Sequence, residues 1–359
     1  MSTLVKHAIV AVEKGRYHGW PANNGIWSWE NEILVGFTQG DYVQKTGHSI
    51  EGVQENHLAK SLDGGESWRA YRPDRYFRDE NSLFEGAGKK PLEEPLDFLD
   101  PSLVVRVFSQ GYHGTRDPAG GFFTSRDRGE TWSGPWSIHG LHEHEELKGK
   151  PLSARTAYLS LGERECLFFI SAKPPLESES GNRVGCMRTV DGGLSFDFLS
   201  WVTPEPKDDF AIMPDAVQLS PDHFVLAYRR IFRGGGGESA IEMYQSGDRC
   251  RSWKYLSTVK ITAPHHNPPA LVRLADGRLC CSYGDRCDLT IKAKYSENSG
   301  RTWEDEFVVR DDYHQCHDGD RDLGYPRMIQ RPDGKLVAVY YWATAEHPEQ
   351  YIAASIWKP

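Results

Sequence analysis

The stretch Ser61-Leu-Asp63-Gly-Gly65-Glu-Ser67-Trp68 is written, with small changes, five times along the chain. It returns as Ser125-Arg-Asp127-Arg-Gly129-Glu-Thr131-Trp132 and Thr189-Val-Asp191-Gly-Gly193-Leu-Ser195-Phe196. The last two copies are Ser246-Gly-Asp248-Arg-Cys250-Arg-Ser252-Trp253 and Ser296-Glu-Asn298-Ser-Gly300-Arg-Thr302-Trp303. Their starts lie 64, 64, 57 and 50 residues apart, a spacing that marks a repeat architecture. The Ser or Thr ends a strand, and the Asp suits bonding to backbone N–H groups in a tight turn. The Gly tolerates positive φ, and the closing aromatic opens the next strand as an anchor between sheets.

Around each turn the same paragraph recurs. In the fifth it reads Pro269–Leu274, the turn Asp276-Gly277, Arg278–Tyr283, then Thr290–Tyr295. Asp-Gly between two strand-like runs is a hairpin signal. A sixth paragraph, Pro326–Gln330, Lys335–Tyr341 and Tyr351–Trp357, lacks the aspartate turn and stops one strand short. The spare strand is Lys6–Val12, and closure by it removes exposed sheet edges. The expectation is an all-β, six-bladed β-propeller of four-stranded antiparallel blades: one domain over residues 1–359, its first blade near 19–75. Segments 76–96 and 139–151 read as surface loops, and Gly234–Gly237 as a loop tip.

Composition sets the partners. The 359 residues carry a net charge of −9, which disfavours nucleic acid and anionic membranes. Mean hydropathy is −0.59, and no run approaches the roughly 20 apolar residues of a membrane span. The N-terminus is not a convincing signal peptide, and seven scattered Cys fit a reducing compartment; a cytoplasmic location follows. Two His-rich stretches, one holding His139, His142 and His144, the other His314, Cys316, His317, Asp318 and Asp320, lack zinc spacing. No P-loop, dinucleotide fingerprint or serine-hydrolase elbow occurs. No metal and no cofactor are expected.

Five such Asp-box turns in a six-paragraph all-β chain resemble the sialidase (neuraminidase) superfamily, the BNR-repeat proteins. The resemblance covers nearly the whole chain and implies a carbohydrate-binding pocket where the inner strands begin. It places Trp20, Arg155, Asp215, His265, His266, Tyr325 and Arg327 there, and lets loops bring His48, Glu51, Arg230 and Arg286 to the same face. Sialidases pair a Tyr nucleophile with a carboxylate, use an Asp acid/base from the first blade, and grip the substrate carboxylate with three Arg. Tyr325 matches the Tyr, Asp215 the carboxylate, Arg230 the second Arg and Arg286 the third.

Two departures stand out. Gly19-Trp20-Pro21 replaces the family's Arg-Ile-Pro, and the loop expected over Thr38–Lys60 offers Asp41, His48, Glu51, Glu55 and His57 in place of a clear Asp. A phenol is a poor nucleophile without a base beside it, and Tyr nucleophiles are an exception among glycosidases. The leading expectation is a sialidase-like glycoside hydrolase acting on an anionic or modified sugar. Tyr325 attacks, Asp215 activates it, Arg230 and Arg286 hold the anion, and His48 or Glu51 protonates the leaving group. His265, His266 and Trp20 contact the sugar. The alternatives are a lyase or His-dependent glycosidase with His265 or His266 as base, and a non-catalytic carbohydrate-binding propeller. The rival role for the two arginines is salt bridging to Asp285, Asp288 or Asp222. The sequence leaves the oligomeric state open.

Overall fold

The computed structural model describes residues 2–74, 89–109, 120–173, 182–206, 209–232, 238–262 and 267–359. His265, His266, Gly234–Gly237 and residues 76–88 of the 76–96 segment lie outside the described residues. Six antiparallel sheets account for nearly all regular structure, giving an all-β six-bladed β-propeller fold. Among the described residues the helices are one turn at Pro21–Asn24 and a 3-10 turn at Leu141–Glu143.

The chain forms two compact units, Met1–Asp79 with Thr262–Pro359, and Glu80–Ile261. The first holds three sheets. One consists of Arg16–Gly19, Glu32–Tyr42, Ile50–Ser61 and Arg69–Tyr71, with Ile26–Trp29 also on Glu32–Tyr42. The second is Ala270–Arg273, Leu279–Asp285, Thr290–Ser296 and Phe307–Arg310. The third orders Gly324–Gln330, Leu336–Trp342, Tyr351–Lys358 and, outermost, Thr3–Ala11. The N-terminal strand therefore completes the C-terminal sheet, with Thr3 opposite Lys358 and Ala11 opposite Ile352. The 38–60 region is a long hairpin, not a loop: Gln39 pairs with Glu55, and only residues 43–49 turn.

The second unit holds Val104–Phe108 with Gly121–Ser125 and Ser133–Ser137, a split inner strand at Leu152–Ser153 and Tyr158–Ser160, and a regular four-stranded sheet over Asp209–Ile261. Its loops are less superficial than expected. Leu92, Leu96, Leu141 and Leu147 all sink into its core beside Phe122, Phe168 and Phe196, because the aliphatic residues punctuating these charged stretches have apolar surface to bury. In the first unit Trp342 and Trp357 are fully buried, and each indole N–H finds an acceptor, Asp312 at 3.0 Å and Tyr295 at 2.7 Å, as buried Trp requires.

The repeated turns work as their residues dictate. Ser61 Oγ accepts from Gly65 N at 2.8 Å, and Asp63 accepts from Ser67 N at 2.9 Å and Ser67 Oγ at 2.5 Å. Glycines 65, 129, 193 and 300 sit at φ 88–90°. Asn298 fits because its amide donates to Thr302 Oγ1 at 2.7 Å while its oxygen accepts Thr302 N at 2.9 Å. The closing aromatics diverge: Trp132 and Phe196 are buried, whereas Trp68, Trp253 and Trp303 stay partly exposed. Cys250 takes the Gly position at φ 63°, fully buried, with its thiol against Cys186.

Inner strands are interrupted at Trp20-Pro21, Met213-Pro214 and Tyr325-Pro326, where the first residue has φ 60°, 54° and 50°. At the last two, one extra residue bulges the strand: Ile212 and Asp215 face Arg229 and Ala227, and Gly324 and Arg327 face Tyr341 and Val339. Proline cannot donate to the ladder, so a bulge accommodates it. A left-handed residue with a large side chain is strained by roughly 1–3 kcal/mol and points to function.

His18, only 2% exposed and packed on Phe37 at 5.8 Å, is held down to a pKa of about 4 mainly by burial. A histidine that stays neutral when folded loses stability for the fold as pH drops from its ordinary 6.5 toward 4, since the unfolded chain binds the proton first. The stabilising contribution is complete above pH 6.5 and worth about 3 kcal/mol relative to pH 4. Thermal unfolding at pH 7 and pH 4.5 checks this: a His18→Gln variant is expected to lose distinctly less Tm on acidification than the parent, and equal losses would refute the assignment.

Candidate active site

Four segments of the first unit meet at Asp322: the strand Arg16–Gly19, the turn over residues 43–49, the end of Leu279–Asp285 and the strand Leu336–Trp342. The loop before Gly324–Gln330 is folded around Asp320, which is 2% exposed. Its carboxylate accepts from Tyr313 Oη at 2.9 Å, Cys316 N at 3.1 Å and Asp322 N at 3.0 Å. Asp320, one acidic residue of the second His-rich stretch, thus braces the loop. Two further bonds tie the loop to residues 43–49: Gln44 Nε2 donates to Cys316 O at 3.4 Å, and His317 Nε2 lies 3.2 Å from Lys45 O.

The braced loop sets the side chain of Asp322 in a buried position surrounded by donors. Oδ1 accepts from His48 Nδ1 at 2.7 Å, Tyr341 Oη at 2.6 Å and Arg286 Nη2 at 3.4 Å; Oδ2 accepts from Tyr17 Oη at 2.9 Å. Burial pushes the carboxyl up, but His48, Arg286 and Tyr341 outweigh it and hold it below the ordinary carboxylate range. The phenols of Tyr17 and Tyr341 are driven well above theirs, first by burial and also by the Asp322 charge, so both remain donors.

An ionised carboxylate only accepts hydrogen bonds, so His48 Nδ1 carries the hydrogen. In the neutral form of such a ring the lone pair is on Nε2, and the His48 side chain is 38% exposed. Two aromatic rings clamp the imidazole, each at 82°: Trp20 at 4.9 Å and Tyr325 at 6.3 Å. Both belong to the left-handed X-Pro breaks.

Tyr325 is pinned by Asn267, which is fully buried. The amide oxygen accepts Tyr325 N at 2.7 Å and the amide nitrogen donates to Leu323 O at 3.0 Å. Tyr325 packs at 5.9 Å on Tyr341, and the Arg286 guanidinium lies 5.6 Å from its ring centre, within cation–π range.

Of the residues expected at the site, the structure brings together Trp20, His48, Arg286 and Tyr325. Glu51 stands apart in the strand Ile50–Ser61, mostly exposed and 3.3 Å from Lys45. Arg327 is buried and donates to Ala22 O at 2.7 Å, bracing the turn after Trp20. In the second unit, Asp215 is half-buried just past its bulge. Arg230 pairs with Asp209 at 2.6 Å and Glu242 at 2.9 Å, and Arg155 donates to Ala154 O at 2.7 Å. Carboxylates do bind both arginines, but they are Asp209, Glu242 and Asp322 rather than the rim residues named from sequence.

Sequence reasoning missed Asp322, Tyr17 and Tyr341 as site residues. Asp322 had one usable signal: a second aspartate two residues after Asp320, directly ahead of Leu-Gly-Tyr325-Pro. The two tyrosines had none, since each reads as an ordinary strand aromatic.

Fold and site together describe a propeller with a histidine–carboxylate pair. Residues 78–338 match the BNR repeat-like domain family, and the chain belongs to that family. No curated protein sequence matches it significantly. Among solved structures, a protein of unknown function from Dyadobacter fermentans DSM 18053 superposes with TM-score 0.71 at 18% identity, covering 99% of each chain. The Penicillium chrysogenum alpha-L-arabinanase, solved with arabinobiose, gives 0.61 at 13% identity over 99% of this chain and 98% of its own. The NanB sialidase of Streptococcus pneumoniae gives 0.59 at 11% over 94% and 68%. At these identities the likeness is one of fold.

Proposed function

We propose that the chain is a glycoside hydrolase in which His48, oriented by Asp322, moves the proton and Tyr325 is the nucleophile. The observation that carries this reading is the buried Asp322 carboxylate 2.7 Å from His48 Nδ1, with the Tyr325 ring centre 6.3 Å from that imidazole. The glycosidases among the structural neighbours support the reaction class.

The chemistry balances with one histidine. Nε2 accepts the Tyr325 phenol proton as the phenol oxygen attacks the anomeric carbon, and the imidazolium passes that proton to the departing glycosidic oxygen. Water then attacks the glycosyl–tyrosine bond; His48 takes its proton and returns it to the phenol oxygen. Asp322 stays ionised throughout and stabilises the imidazolium, as in other His–carboxylate pairs. Arg286 beside the Tyr325 ring favours negative charge on the attacking oxygen, and Trp20 offers a face for the sugar.

The experiment is a panel of aryl glycosides assayed with the parent, Tyr325→Phe and His48→Gln. Removing the proton carrier is expected to cost roughly 10²–10⁴-fold in kcat, and less on glycosides whose leaving group needs no protonation. Tyr325→Phe is expected to abolish turnover and any glycosyl-enzyme seen by mass spectrometry. Turnover undiminished by Tyr325→Phe removes the nucleophile, and a loss in His48→Gln indifferent to the leaving group removes the acid.

A further inference from the structure

Arg286 was expected to grip an anionic sugar, and its hydrogen bonds speak against that. A guanidinium holds a carboxylate through one of two edges, Nε with Nη2 or Nη1 with Nη2. Nη2 has two hydrogens, and the protein takes both: it lies 2.6 Å from Tyr341 Oη and 3.4 Å from Asp322 Oδ1. Nε donates to Leu323 O at 3.2 Å. Neither edge retains a pair of parallel donors, and the side chain is only 16% exposed. Freeing Nη2 for a substrate would strip a buried carboxylate of its cation, a costly exchange. In its own unit Arg230 is committed likewise, Nε to Asp209 and Nη1 to Glu242.

We infer that the sugar bound against His48 is uncharged, and that Arg286 is the fixed counter-ion of Asp322 rather than a substrate clamp. This rests on the glycosidase reading of the site and narrows its substrate class. It also disfavours elimination there, because abstraction of a ring proton needs an adjacent carboxylate on the sugar to acidify it.

An oligosaccharide array carrying neutral glycans beside their uronate- and sialate-bearing counterparts tests the inference on the full chain, followed by hydrolysis assays of the bound members. Neutral glycans are expected to bind at least about tenfold more tightly than matched carboxylated ones. An Arg286→Lys variant is expected to lose turnover on neutral substrates through kcat, with KM little changed. Preference for carboxylated glycans, with the Arg286→Lys loss confined to them and expressed in KM, overturns the inference, as does an array on which nothing binds. Neutral binding without any product leaves the inference standing and fails the hydrolase reading instead.

Discussion

Asp322→Asn is expected to lower kcat/KM by roughly 10³–10⁴-fold while leaving the propeller folded. The substitution keeps the shape of the side chain but not its hydrogen-bonding sense. The carboxylate accepts from four groups, His48, Tyr341, Arg286 and Tyr17. An amide offers one accepting oxygen and an NH₂ that turns a donor toward donors. If the amide nitrogen faces His48, the ring must present a lone pair on Nδ1, which puts the hydrogen on Nε2 and removes the base. If the oxygen faces His48, the NH₂ opposes Tyr17 and the Arg286 cation loses its counter-ion, at a cost of about 3 kcal/mol or more. Nitrogen NMR of the imidazole separates the two: the parent is expected to show hydrogen on Nδ1, the variant on Nε2. A variant with parental turnover would remove Asp322 from the mechanism.

What could be read in the chain depended on the range of the interactions. The Asp boxes are local: Ser61, Asp63, Gly65 and Ser67 satisfy one another within seven residues of sequence, so the propeller was visible from their spacing. Strand heads and the loops beside them are also visible, which is how Trp20 and Tyr325, and from the loops His48 and Arg286, were named from sequence. Asp322 is defined by partners 305 and 274 residues away, Tyr17 and His48, and no local pattern encodes that meeting. Tyr17 was hidden further because the first inner strand starts at Arg16 and breaks after Gly19, ahead of where the pattern placed it. The paired state of Arg230 and Arg286 was equally hidden, since an arginine's partner is a property of the folded sheets.

The strained backbone and the chemistry meet at Gly324, whose replacement by alanine is expected to be the most damaging single-methyl change in this unit. Its φ is 103°, where L side chains are strained, and an added Cβ would lie 2.4 Å from Asn267 Oδ1 and 2.8 Å from its Cγ. Asn267 has no room to yield: its amide is fully buried, bonded at both ends, and Gly284 backs it so closely that a Cβ there would meet Gly324 Cα at 2.9 Å. Relief must break a buried hydrogen bond, costing about 1–3 kcal/mol, or shift the strand, on top of roughly 1–3 kcal/mol of backbone strain. A total of about 2–6 kcal/mol follows, measured by urea unfolding. Gly277→Ala supplies the control, with φ 91° and open space around the new methyl, so it isolates the backbone term at about 1–2 kcal/mol. Activity should separate the pair more sharply, because Asn267 holds the Tyr325 backbone N at 2.7 Å, and any movement there displaces the phenol relative to His48. Gly277→Ala is expected to retain full turnover of its folded fraction, and Gly324→Ala to lose most of it even where it folds. Equal costs for the two variants would mean that Asn267 yields freely and does not set the position of Tyr325.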